Sequence, residues 1–317
     1  MASKDINRSS IDKWKLDSAE SVDFYNQWFL DYAPRTFKEA RAKARAEVEK
    51  AFALLENMDV ISSRVLEASP RLLSVLRQMT CPPLARDRIA GLSGVSRTVV
   101  KRAEENGQWE NNDGRNCAGR LFHVVVKLLD AELFPWLTQG VKSVCDKAKE
   151  RGILIVADRL SGVMSDPMIR NEQERRQLRA IAAFLERRGY RLAHPASHVD
   201  LAPGEFAYHL NVKVHRDDVA KTKVNMPIDV AIQPKSARKG DLPLLIEAKS
   251  AGDFANVNKR RKEEAQKISQ LRRTYGDVRF LLFLCGYFDS GYLGYEAAEG
   301  IDWIWEHRVS DMEKLGL

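Results

Sequence analysis

Two short apolar runs constrain this chain more than any other feature: MPIDVAIQP at 226–234 and LPLLIEAKS at 242–250. Both have the length and the branched, apolar content of β-strands, and both carry ionisable groups inside the run. Glu247 and Lys249 are two residues apart, so they share one face of a strand while Ile246 and Ala248 point to the other. In the first run, Ile228, Val230 and Ile232 read as one face and Asp229 as the other. A fold that accepts both runs must bring these charges into a sheet, where desolvating each ion costs several kcal/mol unless something compensates it.

The surrounding pattern gives these strands a place. From about position 165 the order is helix, strand, strand, strand, helix, strand. The first helix is read to start at the Asp166-Pro167 pair, which suits a cap and first turn, and to end at Gly189. FAYHLNVKVH alternates Phe206, Tyr208, Leu210, Val212 and Val214 against smaller or polar residues, the period of a half-buried strand. After the two charged strands comes the polar helix NVNKRRKEEAQKISQLRRTYG, whose apolar stripe is Ile268, Leu271 and Tyr275. VRFLLFLCGYF then reads as a strand buried on both faces. Upstream of 160, helical periodicity dominates, as in Ala40, Ala44, Val48, Ala51, Phe52 and Leu55, and RLFHVVVKLLDAELFPWL from 120 reads as one helix. The expected fold is therefore α+β or α/β: a helical domain over 1–160, then a mixed sheet flanked by helices over 161–317.

If the two charged strands pair, Asp229, Glu247 and Lys249 converge. Two carboxylates held close together repel unless a proton or cation lies between them, which makes the pair a site for a hard ion such as Mg²⁺. Such an ion lowers the pKa of a bound water and stabilises charge at phosphorus, and a lysine beside it orients that water or neutralises the developing charge. This is equipment for phosphodiester hydrolysis. The alternative is an internal ion pair of Lys249 with one carboxylate, which leaves the cost of burying three charges without a purpose.

Pro227, Asp229, Glu247 and Lys249, with the helices and strands around them, resemble the PD-(D/E)XK nuclease signature. One departure is that Pro227 lies two residues before Asp229 instead of beside it. More specifically, MPIDVAIQP, LPLLIEAKSAGDFANVNKRRKEEAQKISQLRRTYG and GYLGYEAAEGIDWIWEHRVSDM are similar to the XamI family of type II restriction endonucleases. The resemblance implies a PD-(D/E)XK restriction-endonuclease-like core with Asp229 and Glu247 as metal ligands and Asp229, Glu247 and Lys249 as catalytic residues. It further implies Mg²⁺-dependent cutting of both strands of a short palindromic site in double-stranded DNA, with 5′-phosphate and 3′-hydroxyl ends. A homodimer with one site per strand and a companion DNA methyltransferase follow from that role. Some nucleases of this fold add an acidic residue from the preceding helix, and Glu174, in spacing with Leu178, Ile181 and Leu185, is the candidate. Related nucleases also place a glutamine near the site from the following helix, where Gln266 and Gln270 stand one turn apart.

Charge agrees with a polyanionic partner. The net charge is +7 and the isoelectric point about 9.2. Lys259, Arg260, Arg261 and Lys262 follow the Glu247 strand closely and are assigned to DNA; the alternative is a solvated helix face supported by pairs such as Glu263 with Lys267. A second DNA signal is RDRIAGLSGVSRTVVKRAEENG at 86–107, where Ala90, Gly94, Val95 and Val100 have helix-turn-helix spacing. Its second helix presents Arg97, Thr98, Lys101 and Arg102. The dispersed Cys81, Cys117, Cys145 and Cys285 fit reduced thiols of a cytoplasmic protein, and no leader or membrane-spanning run is read. No phosphate-binding G-x-x-x-x-G-K-[ST] loop occurs. Trp303 and Trp305 are read as packing or interface residues. The competing readings are a non-catalytic DNA-binding regulator using 86–107, and a repair or structure-specific nuclease of the same fold.

Overall fold

The computed structural model describes residues 5–56, 62–109, 113–138, 145–215, 223–238, 240–254 and 257–317. Ahead of the sheet come the α-helices α1 (Trp14–Glu56), α2 (Ser63–Ala68), α3 (Leu72–Leu76), α4 (Arg86–Ser93), α5 (Arg97–Asn106), α6 (Gly114–Leu128), α7 (Pro135–Thr138) and α8 (Asp146–Arg187). The strands are β1 (Arg191–Leu192), β2 (Glu205–His215), β3 (Lys223–Ile232), β4 (Leu244–Ala251), β5 (Phe280–Gly286) and β6 (Asp302–Trp305), with α9 (Val257–Tyr275) before β5 and α10 (Ser290–Ala298) before β6. Among the described residues, no helix is long and apolar enough to cross a membrane.

Two helical readings are corrected. The Asp166-Pro167 pair does not start a helix; it lies inside α8. Proline in a helix interior costs about 3 kcal/mol through a lost hydrogen bond and a clash with the preceding turn. Each half of the helix is held by its own packing, Ile153, Val156, Ala157 and Leu160 being buried before the proline and Leu178, Ile181, Phe184 and Leu185 after it. The single helix read over 120–137 is instead α6 and α7, because Leu129 turns to an extended conformation and bridges Thr80, and Pro135 opens the next short helix.

The chain divides into two units, one of Met1–Tyr32 with Arg170–Leu317 and one of Ala33–Ile169. In the second, the buried face of α1, from Ala44 to Leu55, packs with α2, α3, α6 and the first half of α8. The first unit holds the mixed sheet, in the order β1-β2-β3-β4-β5-β6, with β2–β3 and β3–β4 antiparallel and the other pairs parallel. The architecture is α+β, as the sequence pattern implies. Both faces of the sheet are covered. On one, Leu178, Ile181, Phe184 and Leu185 of α8 meet Phe206, Val230, Ile232, Ile246 and Phe283. On the other, Ile268 and Leu271 of α9 and Tyr292 and Leu293 of α10 meet Leu245, Leu282, Leu284 and the two tryptophans of β6.

Strand alternation is not uniform. Ile228 packs with Met226, Leu210 and Val212, whereas Val230 and Ile232 pack on the opposite face with Phe206. The three isoleucine and valine positions of β3 therefore do not share a face, and Phe206 and Tyr208 part from Leu210, Val212 and Val214 in the same way. The change of face in β2 and β3 occurs at the facing positions His209 and Asp229, and His209 has a left-handed backbone with φ of 50°. A non-glycine residue in that region is strained, and its neighbours alternate out of phase on either side of it.

The N-terminal segment belongs to this unit through specific bonds. Asp302 of β6 accepts from the backbone N–H groups of Ile6 (2.6 Å) and Asn7 (3.0 Å), and Asn7 Nδ2 donates to the Trp303 carbonyl at 2.9 Å. Trp303 and Trp305 are fully buried packing residues of β6, parallel to β5.

Candidate active site

The β3–β4 ladder runs from Ile232↔Leu244 to Val230↔Ile246 and stops there. Past that point the strands part, and the N–H of Ala248 donates to Asp229 Oδ2 at 2.8 Å instead of to a strand carbonyl. Asp229 thus stands at the fork with a fixed carboxylate. Glu174, exposed on α8, and His209 bring ligand atoms to within 4.8 Å of it and of each other. His209 Nδ1 lies 3.7 Å from Glu174 Oε1. Asp229, Glu174 and Lys249 line one open cleft of about 330 Å³, together with Gln173, Gln177 and Glu263.

Glu247 is not on the wall of that cleft; it is buried behind it. Its carboxylate lies between two ammonium groups, with Lys249 Nζ 3.2 Å from Oε2 and Lys267 Nζ 2.8 Å from Oε1. Lys249 Nζ is also 2.9 Å from Oε1 of Glu264, a fully buried carboxylate of α9. Burial by itself lowers the Lys249 pKa, but the carboxylates of Glu264, Glu247 and Asp229 outweigh it and hold the ammonium well above its ordinary value. Burial pushes the Glu264 carboxyl up, and Lys249 opposes that. The four charges form one alternating chain, Lys267–Glu247–Lys249–Glu264, beneath the cleft.

A family model described as XamI restriction endonuclease matches residues 56–305. This chain belongs to the XamI restriction endonuclease family. It is 45% identical to the type II restriction enzyme SalI of Streptomyces albus G over 318 residues, 98% of this chain and 99% of that one. No solved structure matches it. The family match takes in α4, α5, the cleft and its charged floor.

Several residues of this restriction endonuclease's cleft were not singled out in the sequence. Gln177, 1% exposed, donates from Nε2 to the Phe283 carbonyl at 3.0 Å and the Lys249 carbonyl at 3.2 Å, so it fixes the backbone of the Glu-x-Lys strand from the α8 side. Gln173 donates to the Tyr25 hydroxyl at 2.7 Å. The available signal was their spacing, since Gln177 stands one turn after Glu174 and beside core-facing Leu178. In α9, Glu264 and Lys267 make the ion pairs with Lys249 and Glu247, while Gln266 is exposed and Gln270 half-buried. Glu264 is in helical phase with Ile268 and Leu271, which marks it as inward-facing. Lys267 turns to Glu247, not to Glu263.

The segment 86–107 forms two helices, α4 and α5, joined through Gly94, which has φ of 65°. Ala90, Val95 and Val100 are buried between them, and Ser96 caps α5 by accepting from the Val99 N–H at 3.3 Å. Arg97, Thr98, Lys101 and Arg102 are all exposed, with Arg97 Nε 2.8 Å from Asp87 and Lys101 Nζ 3.9 Å from Glu105. Lys262 is exposed on α9, while the side chains of Lys259, Arg260 and Arg261 lie outside the described residues.

Proposed function

We propose that this restriction endonuclease uses Mg²⁺ to cut both strands of a short palindromic site in double-stranded DNA, leaving 5′-phosphate and 3′-hydroxyl ends. The observation that carries this reading is the meeting of Asp229, Glu174 and Lys249 in one cleft with Glu247 directly behind Lys249. The donor set fits the ion, since carboxylate oxygens are the hard ligands Mg²⁺ takes, and those of Glu174 and Asp229 lie within 4.8 Å. Asp229, Glu247 and Glu174 are the residues that would hold it. When bound, Mg²⁺ supplies charge neutralisation at the attacked phosphate and a coordinated water of lowered pKa.

The chain's own groups do the rest. The Ala248 N–H orients the Asp229 carboxylate before any ligand arrives. Lys249, kept protonated by its carboxylate neighbours, donates to the attacking water or to a phosphate oxygen and offsets the charge that builds there. Arg97, Thr98, Lys101 and Arg102 on α5, with Lys259, Arg260, Arg261 and Lys262 at the start of α9, are assigned to DNA, where cationic side chains set register on the phosphates. A palindromic site has a two-fold axis, so the assembly assigned is a homodimer with one cleft per strand. The setting is the cytoplasm, with a companion DNA methyltransferase protecting host DNA.

Incubating the purified protein with plasmid and Mg²⁺ tests this. Discrete fragments with 5′-phosphate ends are expected, and Asp229→Asn is expected to yield none while still retarding a cleavable fragment in a gel. Intact plasmid at saturating Mg²⁺ overturns the reading; random nicking points to the repair-type alternative.

A further inference from the structure

Glu247 faces two incompatible demands. The proposed metal reading, on which this inference rests, needs its carboxylate; yet both oxygens already lie beside ammonium groups, Lys267 at 2.8 Å and Lys249 at 3.2 Å. The side chain is 2% exposed, so these contacts are poorly screened by water. The chain Lys267–Glu247–Lys249–Glu264 balances two negative charges with two positive ones. A divalent ion held by Asp229 and Glu174 reaches Glu247 only through an oxygen that an ammonium now occupies, and the two cations repel each other at that short range. One ammonium must therefore give way.

The two lysines differ in their hold. Lys249 has a second carboxylate, the fully buried Glu264 at 2.9 Å, and stays anchored if Glu247 turns elsewhere. The further described contact of Lys267 is a long one, 3.4 Å to the Pro227 carbonyl, and its side chain is 23% exposed against 18% for Lys249. It has the weaker tether.

We propose that Lys267 is the resident counter-ion of Glu247, holding the carboxylate in the metal-free protein and leaving it when a divalent ion binds. The exchange has a consequence for substrate. A displaced ammonium next to a DNA-cutting cleft finds its new partner in a phosphate, so DNA and metal favour each other's binding through this one side chain. Free enzyme then holds metal weakly, and DNA-bound enzyme holds it tightly.

Calorimetric titration of the full chain with Mn²⁺, without DNA, tests the exchange. Lys267→Gln is expected to bind Mn²⁺ about tenfold more tightly than the unsubstituted protein, because the ion no longer competes with an internal cation. Lys267→Arg keeps the charge and is expected to bind as the unsubstituted protein does. Lys267→Met gives the same comparison if the glutamine variant does not melt cooperatively. Equal affinity in the unsubstituted, Lys267→Gln and Lys267→Met proteins, with binding abolished by Glu247→Gln, overturns the counter-ion role and leaves the metal reading standing. Binding that Glu247→Gln does not change, or no binding to any form, overturns the metal reading at Glu247 and the exchange with it.

Discussion

Gln177 shows how a neutral residue sets a charged site. It is buried on α8 and its amide joins the carbonyls of Lys249 and Phe283, on two adjacent parallel strands. Replacing it with alanine leaves two buried acceptors without this donor, at a cost of about 1–3 kcal/mol. The Gln177→Ala protein is expected to unfold at lower urea concentration with an unchanged slope, and to lose cleavage more than binding, since the strand that moves carries Lys249. Asp229 calls for a different substitution. Its Oδ2 accepts the Ala248 N–H, so alanine there removes a ladder-ending bond together with the carboxylate. Asparagine keeps an oxygen for that N–H, and is expected to retain stability to within about 0.5 kcal/mol while abolishing cleavage; a urea melt beside a plasmid digest checks both. At this scale the Asp229, Glu247 and Lys249 cluster was legible because charges inside apolar runs are costly and therefore conspicuous. Gln177, Glu264 and Lys267 were not, because polar residues on a helix become site residues only through their phase against partners distant in sequence.

At the level of elements, the clearest local signal and the most misleading one were both turns. Gly94, Ser96 and the valines of 95–100 define the α4–α5 connection by local chemistry alone: a left-handed glycine ends one helix and a serine caps the next. Ser96→Ala is expected to cost about 1 kcal/mol of stability, read as a fall in the urea midpoint, because the Val99 N–H loses its acceptor. Asp166-Pro167 carries equally good cap chemistry and yet sits inside α8, since packing along the helix outweighs a local preference. The change of face at His209 and Asp229 was likewise hidden. Period-two counting assumes a regular strand, and one residue with φ of 50° is enough to invert it.

For the molecule as a whole, the bonds that matter most join residues far apart in the chain, which no local pattern announces. Asn7 and Asp302 are 295 positions apart and directly bonded. Arg308 ties the same corner together, reaching Asp17 at 2.7 and 2.8 Å, Asp311 at 2.7 Å and Asn7 Oδ1 at 3.0 Å. Burial alone raises the Asp311 pKa, but the hydrogen bonds from Lys314, Arg308 and Asn7 prevail and hold it below the ordinary carboxylate value. A depressed folded-state pKa stabilises above the unfolded-state value, near 3.9, and that contribution is lost as pH falls through the folded value. Asp311→Asn is therefore expected to melt below the unsubstituted protein at neutral pH, with the difference closing once the pH drops below about 4. Melting curves across pH 3 to 7 check this; a constant gap would falsify the assignment. The joining of Ile6 and Asn7 to Asp302 also has a meaning in time. During synthesis Ile6 and Asn7 are made some 295 residues before Asp302, so these bonds form only after β6 has left the ribosome. A nascent DNA-cutting enzyme built this way closes the corner of its sheet only after β6 has been made.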